Sequence, residues 1–430
     1  MIQIRRTSWC LALAAVVAAC SDPISPGQRA LRSLSPAEQQ IASSGNAFSF
    51  ALFRQLASSQ ASQNVFVSPL SASMSLGMTI NGAAGGTFEA MRTALRLGGA
   101  DMASIDAGYR GLIDALRGAD PATTFQIANS IWYRNTFAFK QPFLDTTAKY
   151  FDAHAQGLDF DNEAASLATI NRWVNDNTAG KIPTILDQIT PDEVMFLINT
   201  VYFKGTWQVR FDPKSTTPGR FVDADGTVQT VPMMSRPEHL KPEFRSGGWQ
   251  GAIVVELPYG DGEFAMDILM PPMQIGVDSL AKTLNDSTWS AMAATLRDND
   301  AALILPKFSM SYERMLNDDL TSLGMGVAFT DAAEFPGISP QPVRLSFVKQ
   351  KAFVSVDEAG TEAGASTVTG VVPTSLSYIA IDHPFVFVIR DRTSGTILFM
   401  GKVVRIPAAS DASTSRDARP TNAPPWASGR

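Results

Sequence analysis

The alternation of apolar and polar residues predicts helices in the first part of the chain and mostly strands in the second. Apolar residues recur at helical spacing in several windows. The predicted helices cover residues 38–60, 68–78, 87–95, 164–177 and 313–323. The second of them begins with Ser68-Pro69, an N-cap followed by a first-turn proline, and is closed by the small residues 82–86.

Strands are predicted where apolar residues alternate or form short continuous runs. The predicted strands cover residues 64–67, 125–133, 194–203, 229–234, 252–258, 264–270, 302–308, 351–357, 385–389 and 397–404. The run 194–203 is strongly apolar, which is typical of a strand in the middle of a sheet. Helices followed by strands at antiparallel hairpin spacing favour an α+β fold.

One long segment near the end of the chain fits neither pattern. Between Glu358 and Asp382 lie 23 residues whose only charge is Glu362, built mostly from Gly, Ala, Ser, Thr and Val. Loops this long without secondary structure of their own are usually functional or disordered. The composition also suits a strand, so the segment is predicted to be a loop that can become one.

Composition excludes several classes of function. With 45% hydrophobic residues in 430 and no internal linker, one large globular domain is expected. A net charge of −6 without a basic cluster argues against nucleic acid. Three histidines, two cysteines and no HExxH spacing argue against a metal. Without a GxSxG or GxxxxGK[ST] motif, neither an enzyme nor a bound cofactor is expected.

The N-terminus carries an export signal. Arg5 and Arg6 precede an apolar run, residues 11–19, that is too short to span a bilayer. Residues 17–20, Val-Ala-Ala-Cys, resemble the bacterial lipoprotein box, whose cysteine becomes lipidated; an ordinary Ala-x-Ala cleavage site is the alternative. Cys20 would be the only cysteine of the mature protein. The protein is therefore expected to be exported and lipid-anchored to the cell envelope, at the outer membrane or cell surface, or otherwise secreted.

These observations divide the chain into four parts. Residues 1–19 are the signal peptide, 20–35 a polar tether, 36–406 the folded domain, and 407–430 a tail rich in Pro, Ser and Ala that is expected to be disordered.

Five groups of residues, in order along the folded part, resemble motifs of the serpin family of serine protease inhibitors. They are NVFVSPLS at 64–71, Asn171 with TAGKI at 178–182, LINTVYFKGTW at 197–207, VDEAGTEA at 356–363, and HPFVF at 383–387 with LFMGK at 398–402. The resemblance implies a serpin fold with three β-sheets, about nine helices and an exposed reactive-centre loop, here about residues 358–378.

The resemblance also implies a mechanism and a partner. A serine protease cleaves the loop and stays acylated to the new chain end, and the loop then inserts into the main sheet and disables the protease. Serpin loop insertion is itself a standard example of strand addition and of stored strain. The protein is expected to be a monomer that contacts a membrane only through lipid on Cys20.

The loop sequence suits insertion. In a strand, alternate residues face the same side. The set Thr361, Ala363, Ala365, Thr367, Thr369 and Val371 is small or β-branched and uncharged, as a buried face requires. The hinge implied by the resemblance consists of Glu358, Gly360, Thr361, Glu362, Ala363, Gly364, Ala365 and Ser366.

The cleaved bond is placed by the family spacing of 17 residues from Glu358, which gives Thr374-Ser375. The preceding Val371, Val372 and Pro373 would fill the protease subsites. Threonine after proline favours elastase-like or subtilisin-like enzymes, and a loop without Arg or Lys disfavours trypsin-like ones. Cleavage after Ser375, or after Leu376 or Tyr378 by a chymotrypsin-like enzyme, remains open.

The resemblance places a polar cluster, Ser68, Ser71 and Asn199, beneath the main sheet, and Trp207 where the loop first inserts. As bare residues, the two serines also fit plain helix caps, and Trp207 a core aromatic. The family's usual histidine in this cluster is Gln350 here. Glutamine can still hydrogen-bond Asn199, but without any pH dependence.

A non-inhibitory serpin, acting as a binding or chaperone-like module, is the alternative function. Such members tend to carry bulky, charged or proline-containing hinges. Residues 361–366 are small here, which favours inhibition.

Overall fold

The computed structural model describes residues 33–237, 242–361 and 378–407. Within these ranges the chain forms nine α-helices and three β-sheets, the predicted α+β architecture. The helices are α1 (Pro36–Ser59), α2 (Pro69–Ile80), α3 (Gly85–Ala94), α4 (Met102–Arg117), α5 (Gln141–Phe151), α6 (Glu163–Asn177), α7 (Val277–Thr283), α8 (Asp286–Ala293) and α9 (Asn317–Leu320). Shorter helical turns lie at Pro213–Ser215, Thr321–Met325 and Gly326–Phe329.

The six-strand sheet contains the first described residues of the uncharged segment. Its order is β12 (Phe308–Met315), β13 (Lys349–Val356), β14 (Gly360–Thr361), β4 (Met195–Thr206), β2 (Thr123–Arg134) and β3 (His154–Leu158). Strand β2 runs antiparallel to almost the whole of β4, and β12 runs antiparallel to the whole of β13. The sheet thus consists of two well-paired halves on either side of β14.

The other two sheets complete the core. The seven-strand sheet has the order β1 (Val65–Val67), β17 (Ile397–Val403), β16 (Phe385–Asp391), β9 (Phe264–Met270), β8 (Ala252–Pro258), β7 (Phe244–Trp249) and β10 (Arg297–Asn299). The four-strand sheet has the order β15 (Tyr378–Ala380), β11 (Ala302–Pro306), β6 (Val228–Arg236) and β5 (Thr217–Val222). Every residue of β9, β16 and β17 is buried, which explains their continuous apolar runs.

Helix α2 lies between β4 and β17 and is buried on every side. It begins as predicted: the Ser68 hydroxyl accepts a hydrogen bond from the Ser71 amide, and Pro69 occupies the first turn. A helix that is apolar all round belongs in a core. Its position brings Ser71 directly beneath β4.

Helix α1 confirms the prediction for residues 38–60, with its start at Pro36 fixed by a capping box between Ser35 and Glu38. It buries a phenylalanine-rich face that includes Phe48 and Phe53. No helix in the described ranges is long and apolar enough to cross a membrane.

Two sequence predictions are wrong in detail. Residues 313–315 were assigned to a helix, but they end β12, because the alternation of Phe308, Met310 and Tyr312 continues along its pairing with β13. The helix around 313–323 is reduced to α9 and the turns after it. Gly85 and Gly86 begin α3 instead of only closing α2, and the Glu334 carboxylate accepts a hydrogen bond from the Gly86 amide.

Candidate functional site

The described start of the uncharged segment already lies in the six-strand sheet. Thr361 pairs with Val356 of β13 on one side and with Gly205 of β4 on the other, antiparallel to both. Gly360 pairs with Thr206. These two residues therefore occupy the position of a central strand.

Glycine is required at position 360 by its backbone and by its neighbour. Its φ of +156° lies at the edge of the region that favours glycine, and a Cβ there would lie 2.0 Å from the carbonyl oxygen of Gly205. On Gly205, a Cβ would lie 2.6 Å from the ring of Tyr259. The two glycines allow the hinge, β4 and Tyr259 to pack in direct contact.

Thr361 is held by a buried hydroxyl pair. Its side chain is 5% exposed, and its Oγ1 lies 2.6 Å from the Tyr259 hydroxyl. Burial raises the pKa of Tyr259, so its phenol stays neutral and can donate or accept this bond. The Tyr259 ring stacks on Trp207, with centroids 4.4 Å apart. Thr361, the first residue predicted for the buried face of an inserted strand, thus packs against the stacked rings of Tyr259 and Trp207.

Trp207 and Phe211 bind the three residues before Gly360. Its indole N–H donates to the Asp357 carbonyl at 2.8 Å, and its backbone amide donates to the Ala359 carbonyl at 2.9 Å. The Phe211 amide donates to the Glu358 carbonyl at 3.0 Å. Trp207 is therefore both a buried core aromatic and a hydrogen-bonding partner of the hinge.

The carboxylate of Glu358 forms an ion pair. Lys307 Nζ lies 2.8 Å from its Oε2, and the Thr216 hydroxyl donates to its Oε1 at 2.8 Å. Burial raises the pKa of Glu358, but the Lys307 ammonium and the other donors outweigh burial, so the net shift is downward. The Glu358 carboxylate is therefore ionised at neutral pH.

The neighbouring Asp357 carboxylate forms a tight turn. Its Oδ1 accepts hydrogen bonds from the amides of Ala359 at 2.9 Å and Gly360 at 3.2 Å. Burial raises the pKa of Asp357 more than these donors lower it. The turn aims Gly360 into the sheet.

Beyond Thr361, the facing edges of β4 and β13 have no partner strand among the described residues. We call the space between these edges the slot. A cavity of about 240 Å³ lies along the part of the slot that is farthest from Thr361. It is lined by residues 194–199, in and just before β4, by residues 342–350 and by α2. A smaller cavity of about 20 Å³ lies next to Thr361, between Val201 and Phe203 on one side and Val354 on the other.

The predicted polar cluster is present, but one expected hydrogen bond is not formed. The Gln350 amide binds both backbone groups of Ser68, accepting from its N–H at 3.1 Å and donating to its carbonyl at 2.7 Å. No hydrogen bond joins Gln350 to Asn199 in the described structure, because the Gln350 amide is turned toward the backbone of Ser68. The Ser68 hydroxyl donates to the Leu398 carbonyl at 2.8 Å, in addition to capping α2. This clasp ties β13 to α2 and β17.

Asn199 is held more loosely on the other side of the slot. Its Nδ2 donates to Asn129 of β2 at 2.6 Å, and its carbonyl accepts a long bond of 3.3 Å from the Ser71 hydroxyl. Its Oδ1 is buried without a hydrogen-bond partner in the described structure, as is Thr200 Oγ1. Buried polar atoms without a hydrogen-bond partner are rare and need an explanation.

Sequence reasoning missed several partners of the hinge. Tyr259, Lys307 and Thr216 lie far from residue 358 along the chain, and nothing local marks them. Asn129 did carry a signal, because it is a polar residue inside the apolar alternation of β2. The remaining predicted residues lie outside the described residues: Cys20, Glu362, Ala363, Gly364, Ala365, Ser366, Val371, Val372, Pro373, Thr374 and Ser375.

The fold and the hinge define a class of protein. The sequence profile of the family described as Serpin (serine protease inhibitor) matches residues 43–406. The chain belongs to the serpin family, whose members are in general protease inhibitors and not enzymes, although some relatives are non-inhibitory binders.

Individual relatives agree with this assignment. The chain is 31% identical over 360 residues to serine protease inhibitor 42Dd of Drosophila melanogaster, covering 82% of this chain and 94% of that protein. Human thyroxine-binding globulin in complex with thyroxine matches with a TM-score of 0.77 and 27% identity, covering 86% of this chain and all of that one. The structure of cleaved serpin 42Da matches with a TM-score of 0.77 and 29% identity over the same shares.

Proposed function

We propose that this serpin inhibits serine endopeptidases by suicide loop insertion, with Thr374-Ser375 as the cleaved bond and elastase-like or subtilisin-like enzymes as targets. The observation that carries the proposal is the pairing of Gly360–Thr361 between β13 and β4. The target would remain attached through an acyl bond to Thr374 while the residues after Thr361 extend this strand.

The pairing of Thr361 fixes the register of any continuation. In an antiparallel pair, each further residue moves one position back along the partner strand. Glu362 would then lie opposite Lys204, Ser366 opposite Thr200, and Thr367 opposite Asn199. On the other edge, Thr367 would face Gln350.

This register places polar residues opposite polar residues. Lys204 is exposed and offers a counter-charge to Glu362. The two buried acceptors without donors on β4, Thr200 Oγ1 and Asn199 Oδ1, would meet the hydroxyls of Ser366 and Thr367. Leaving such a group unsatisfied costs about 1–3 kcal/mol, which the inserted hydroxyl would recover.

The apolar positions agree as well. Ala363 would lie opposite Phe203 and Val354, and Ala365 opposite Val201 and Ala352. Of these strand residues, Phe203, Val354 and Ala352 are buried. Only small side chains suit positions between such neighbours, because overpacking a core typically costs about 1–3 kcal/mol.

Insertion must be driven by more than strand pairing. Ordering a residue costs about 1–2 kcal/mol, while each backbone hydrogen bond returns about 1 kcal/mol net. Pairing alone therefore roughly breaks even. Burial of the small apolar side chains and satisfaction of the β4 acceptors supply the favourable remainder.

The structure also bears on the choice of cleaved bond. Tyr378 and Ile379 of β15 pair with Ala302 and Leu303 of β11, so the Tyr378-Ile379 bond lies in a paired strand. A protease would have to detach this strand to cleave there. The pairing favours the bonds after Thr374, Ser375 or Leu376 over the one after Tyr378.

A gel experiment tests the proposal. The purified protein is incubated with pancreatic elastase, subtilisin, trypsin and chymotrypsin, and the products are separated in SDS. We expect a stable covalent complex with elastase or subtilisin, and a released fragment that begins at Ser375. Cleavage without any complex would instead support a non-inhibitory binding module.

We also propose that the protein is exported and anchored to the cell envelope by lipid on Cys20, and that it acts as a monomer. The support is the lipoprotein-like sequence before Cys20. Metabolic labelling with a radioactive fatty acid, followed by membrane fractionation, tests the anchor. The Cys20→Ala variant should lose both the label and the membrane association, and a wild-type protein without label would contradict the proposal.

A further inference from the structure

The segment that joins α6 to β4, residues 178–190, has no helix or strand of its own, and we call it the strap. The Asn171 side chain of α6 accepts hydrogen bonds from the amides of Ile185 and Leu186 at 2.8 and 3.0 Å, and donates to the Leu186 carbonyl at 2.8 Å. Ile185 and Leu186 are buried with Phe196 of β4 in an apolar cluster separate from the main core. The strap is therefore held firmly on the β4 side of the slot.

Two charged residues of the strap contact β13, on the other side of the slot. Lys181 Nζ lies 5.2 Å from the centre of the Phe353 ring. Asp187 Oδ2 lies 3.1 Å from Lys349 Nζ. The smaller cavity, beside Thr361, is lined by the strap together with both walls of the slot. The strap thus crosses the slot, and a strand that enters between β4 and β13 must pass beneath it.

Lys349 makes ion pairs in two directions. Its side chain is 11% exposed, and its Nζ also lies 2.7 Å from Glu313 Oε1 of β12. Lys351, two residues further along β13, lies 2.9 Å from the other oxygen of Glu313 and forms no ion pair with the strap in the described structure. The two lysines share a strand and a carboxylate partner, but only the ion pairs of Lys349 reach across the slot to Asp187.

An aromatic contact also bridges the slot near this ion pair. Phe196 of β4 and Phe347, just before β13, have ring centroids 5.6 Å apart. Such ring pairs are worth about 0.5–1.5 kcal/mol beyond the area they bury. Both rings line the cavity of about 240 Å³, which α2 lines as well. The slot therefore has free space in this part but is bridged by a direct contact between its two walls.

We propose that the Asp187–Lys349 ion pair and the Phe196–Phe347 ring contact form a latch that holds this part of the slot closed and makes strand insertion depend on ionic strength. The inference rests on the proposed inhibitory function. The Asp187 side chain is 66% exposed, so dissolved ions can screen the pair. The screening length falls from about 30 Å at about 0.01 M salt to about 8 Å at about 0.15 M. Insertion should accordingly be slowest at low salt.

Uptake of a synthetic peptide tests the latch without a protease. The full chain is incubated with a labelled peptide of its own residues 362–373, and the rate of complex formation is followed on native gels. The variants are Lys349→Met, Lys349→Arg and Phe347→Leu, and Lys351→Met is the matched control. At about 0.01 M salt we expect Lys349→Met to take up the peptide about two- to five-fold faster than the wild type. Lys349→Arg and Lys351→Met should keep the wild-type rate, and Phe347→Leu should also be faster.

The salt dependence separates the two halves of the latch. Raising the salt to about 0.15 M should speed uptake in the wild type, Lys351→Met and Phe347→Leu, and much less in Lys349→Met, which lacks the screened pair. A wild-type rate and salt dependence in Lys349→Met would overturn the latch and leave the inhibitory function standing.

Two further results would count against the latch. An equal acceleration in Lys351→Met would overturn it, because the loss of pairing with Glu313 would then explain the effect. Uptake by no variant at either salt concentration would overturn it as well, since removing the latch would open nothing. Failure of the wild type to trap any protease in the gel experiment overturns the inhibitory function itself.

Discussion

At the scale of residues, the hinge was predictable from the sequence only in part. Gly360 and Thr361 were identified because they belong to a contiguous motif. Tyr259 lies 102 residues from Thr361 along the chain and Lys307 lies 51 residues from Glu358, so their contacts exist only after folding. Gln350 was placed in the right cluster but given the wrong partner, because the orientation of an amide depends on which backbone groups surround it.

Replacement of Thr361 by arginine should convert the inhibitor into a substrate. The guanidinium would have to be buried beside Tyr259 and Trp207, where an unpaired charge costs several kcal/mol. Insertion would then be too slow to compete with hydrolysis of the acyl bond. We expect cleaved protein and free protease in place of an SDS-stable complex.

Thr93→Arg is the matched control, because Thr93 is exposed on α3 and the substitution adds the same side chain. It should form complexes like the wild type. An unchanged stoichiometry of inhibition in Thr361→Arg would show that burial of residue 361 in the sheet is not needed to trap the protease.

Asp106 should make stability depend on pH. It is buried on α4 and accepts a hydrogen bond from Asn81 at 2.9 Å. Burial raises the pKa of Asp106 to about 6, although Asn81 and Lys149 act in the opposite direction. The native protein therefore holds this proton more tightly than the unfolded chain, and stability falls as the pH rises from about 4 to 6.

The Asp106→Asn variant removes this charge. At pH 7 we expect its free energy of unfolding in urea to exceed that of the wild type by about 1–3 kcal/mol. At pH 4 the difference should vanish, because Asp106 is then protonated in the native protein. Asp300→Asn, at an exposed position, controls for net charge, and an equal gain at both pH values would refute the role of burial.

At the scale of elements, strong apolar periodicity in the sequence predicted secondary structure reliably. It did not show which strands pair with each other. The apolar run 194–203 was correctly assigned to a central strand, β4. That one of its edges forms a wall of the slot could not be known from its sequence, because an edge is defined by a distant partner. Helix α4 was overlooked, although Ile105, Tyr109, Leu112 and Leu116 have helical spacing.

The two walls of the slot are anchored differently. The Gln350 clasp fixes β13 to α2 and β17 with two hydrogen bonds to Ser68. β4 reaches α2 only through two long bonds of the described residues, from the Ser71 hydroxyl to the Asn199 carbonyl at 3.3 Å and from Asn199 Nδ2 to Met74 Sδ at 3.8 Å. We therefore expect β4, together with β2, to be the wall that moves when the slot widens.

A charge exchange tests the register of the inserted strand. Lys204→Glu would place a carboxylate opposite Glu362, and we expect the fraction of protein that is cleaved without trapping protease to rise about two- to five-fold. The double variant Lys204→Glu with Glu362→Lys should restore the wild-type fraction. The fraction is measured as the stoichiometry of inhibition.

Lys214→Glu makes the same change of charge at an exposed site outside the slot and should have no effect. If the double variant is no better than Lys204→Glu alone, Glu362 does not lie opposite Lys204 after insertion.

At the scale of the whole molecule, the helix α2 connects the slot to the core. Its N-terminal turn touches β13, β4 and β17 at once through Ser68 and Ser71. The three sheets and nine helices of the described ranges were expected from the resemblance to serpins, and the sheet pairing that makes the slot came only from the structure.

Cleavage of the loop should make the whole molecule more stable. Insertion would complete the six-strand sheet along the slot and satisfy the β4 acceptors, whereas the intact chain leaves them without donors in the described structure. We expect the thermal unfolding midpoint after cleavage to rise by far more than the roughly 2–4 °C that 1 kcal/mol produces in a mid-sized domain. Thr361→Arg should show little of this gain, and an unchanged midpoint in the cleaved wild type would exclude insertion.

The two residues of β14 have a kinetic consequence. Forming the first contacts of an ordered chain is the unfavourable step, and later residues add at a smaller cost each. Gly360 and Thr361 are already paired with the neighbouring strands, so cleavage would let an already nucleated strand grow. Loop insertion competes with hydrolysis of the acyl bond. We expect substitutions immediately after Thr361 to slow insertion most, and substitutions closer to Thr374 to slow it progressively less.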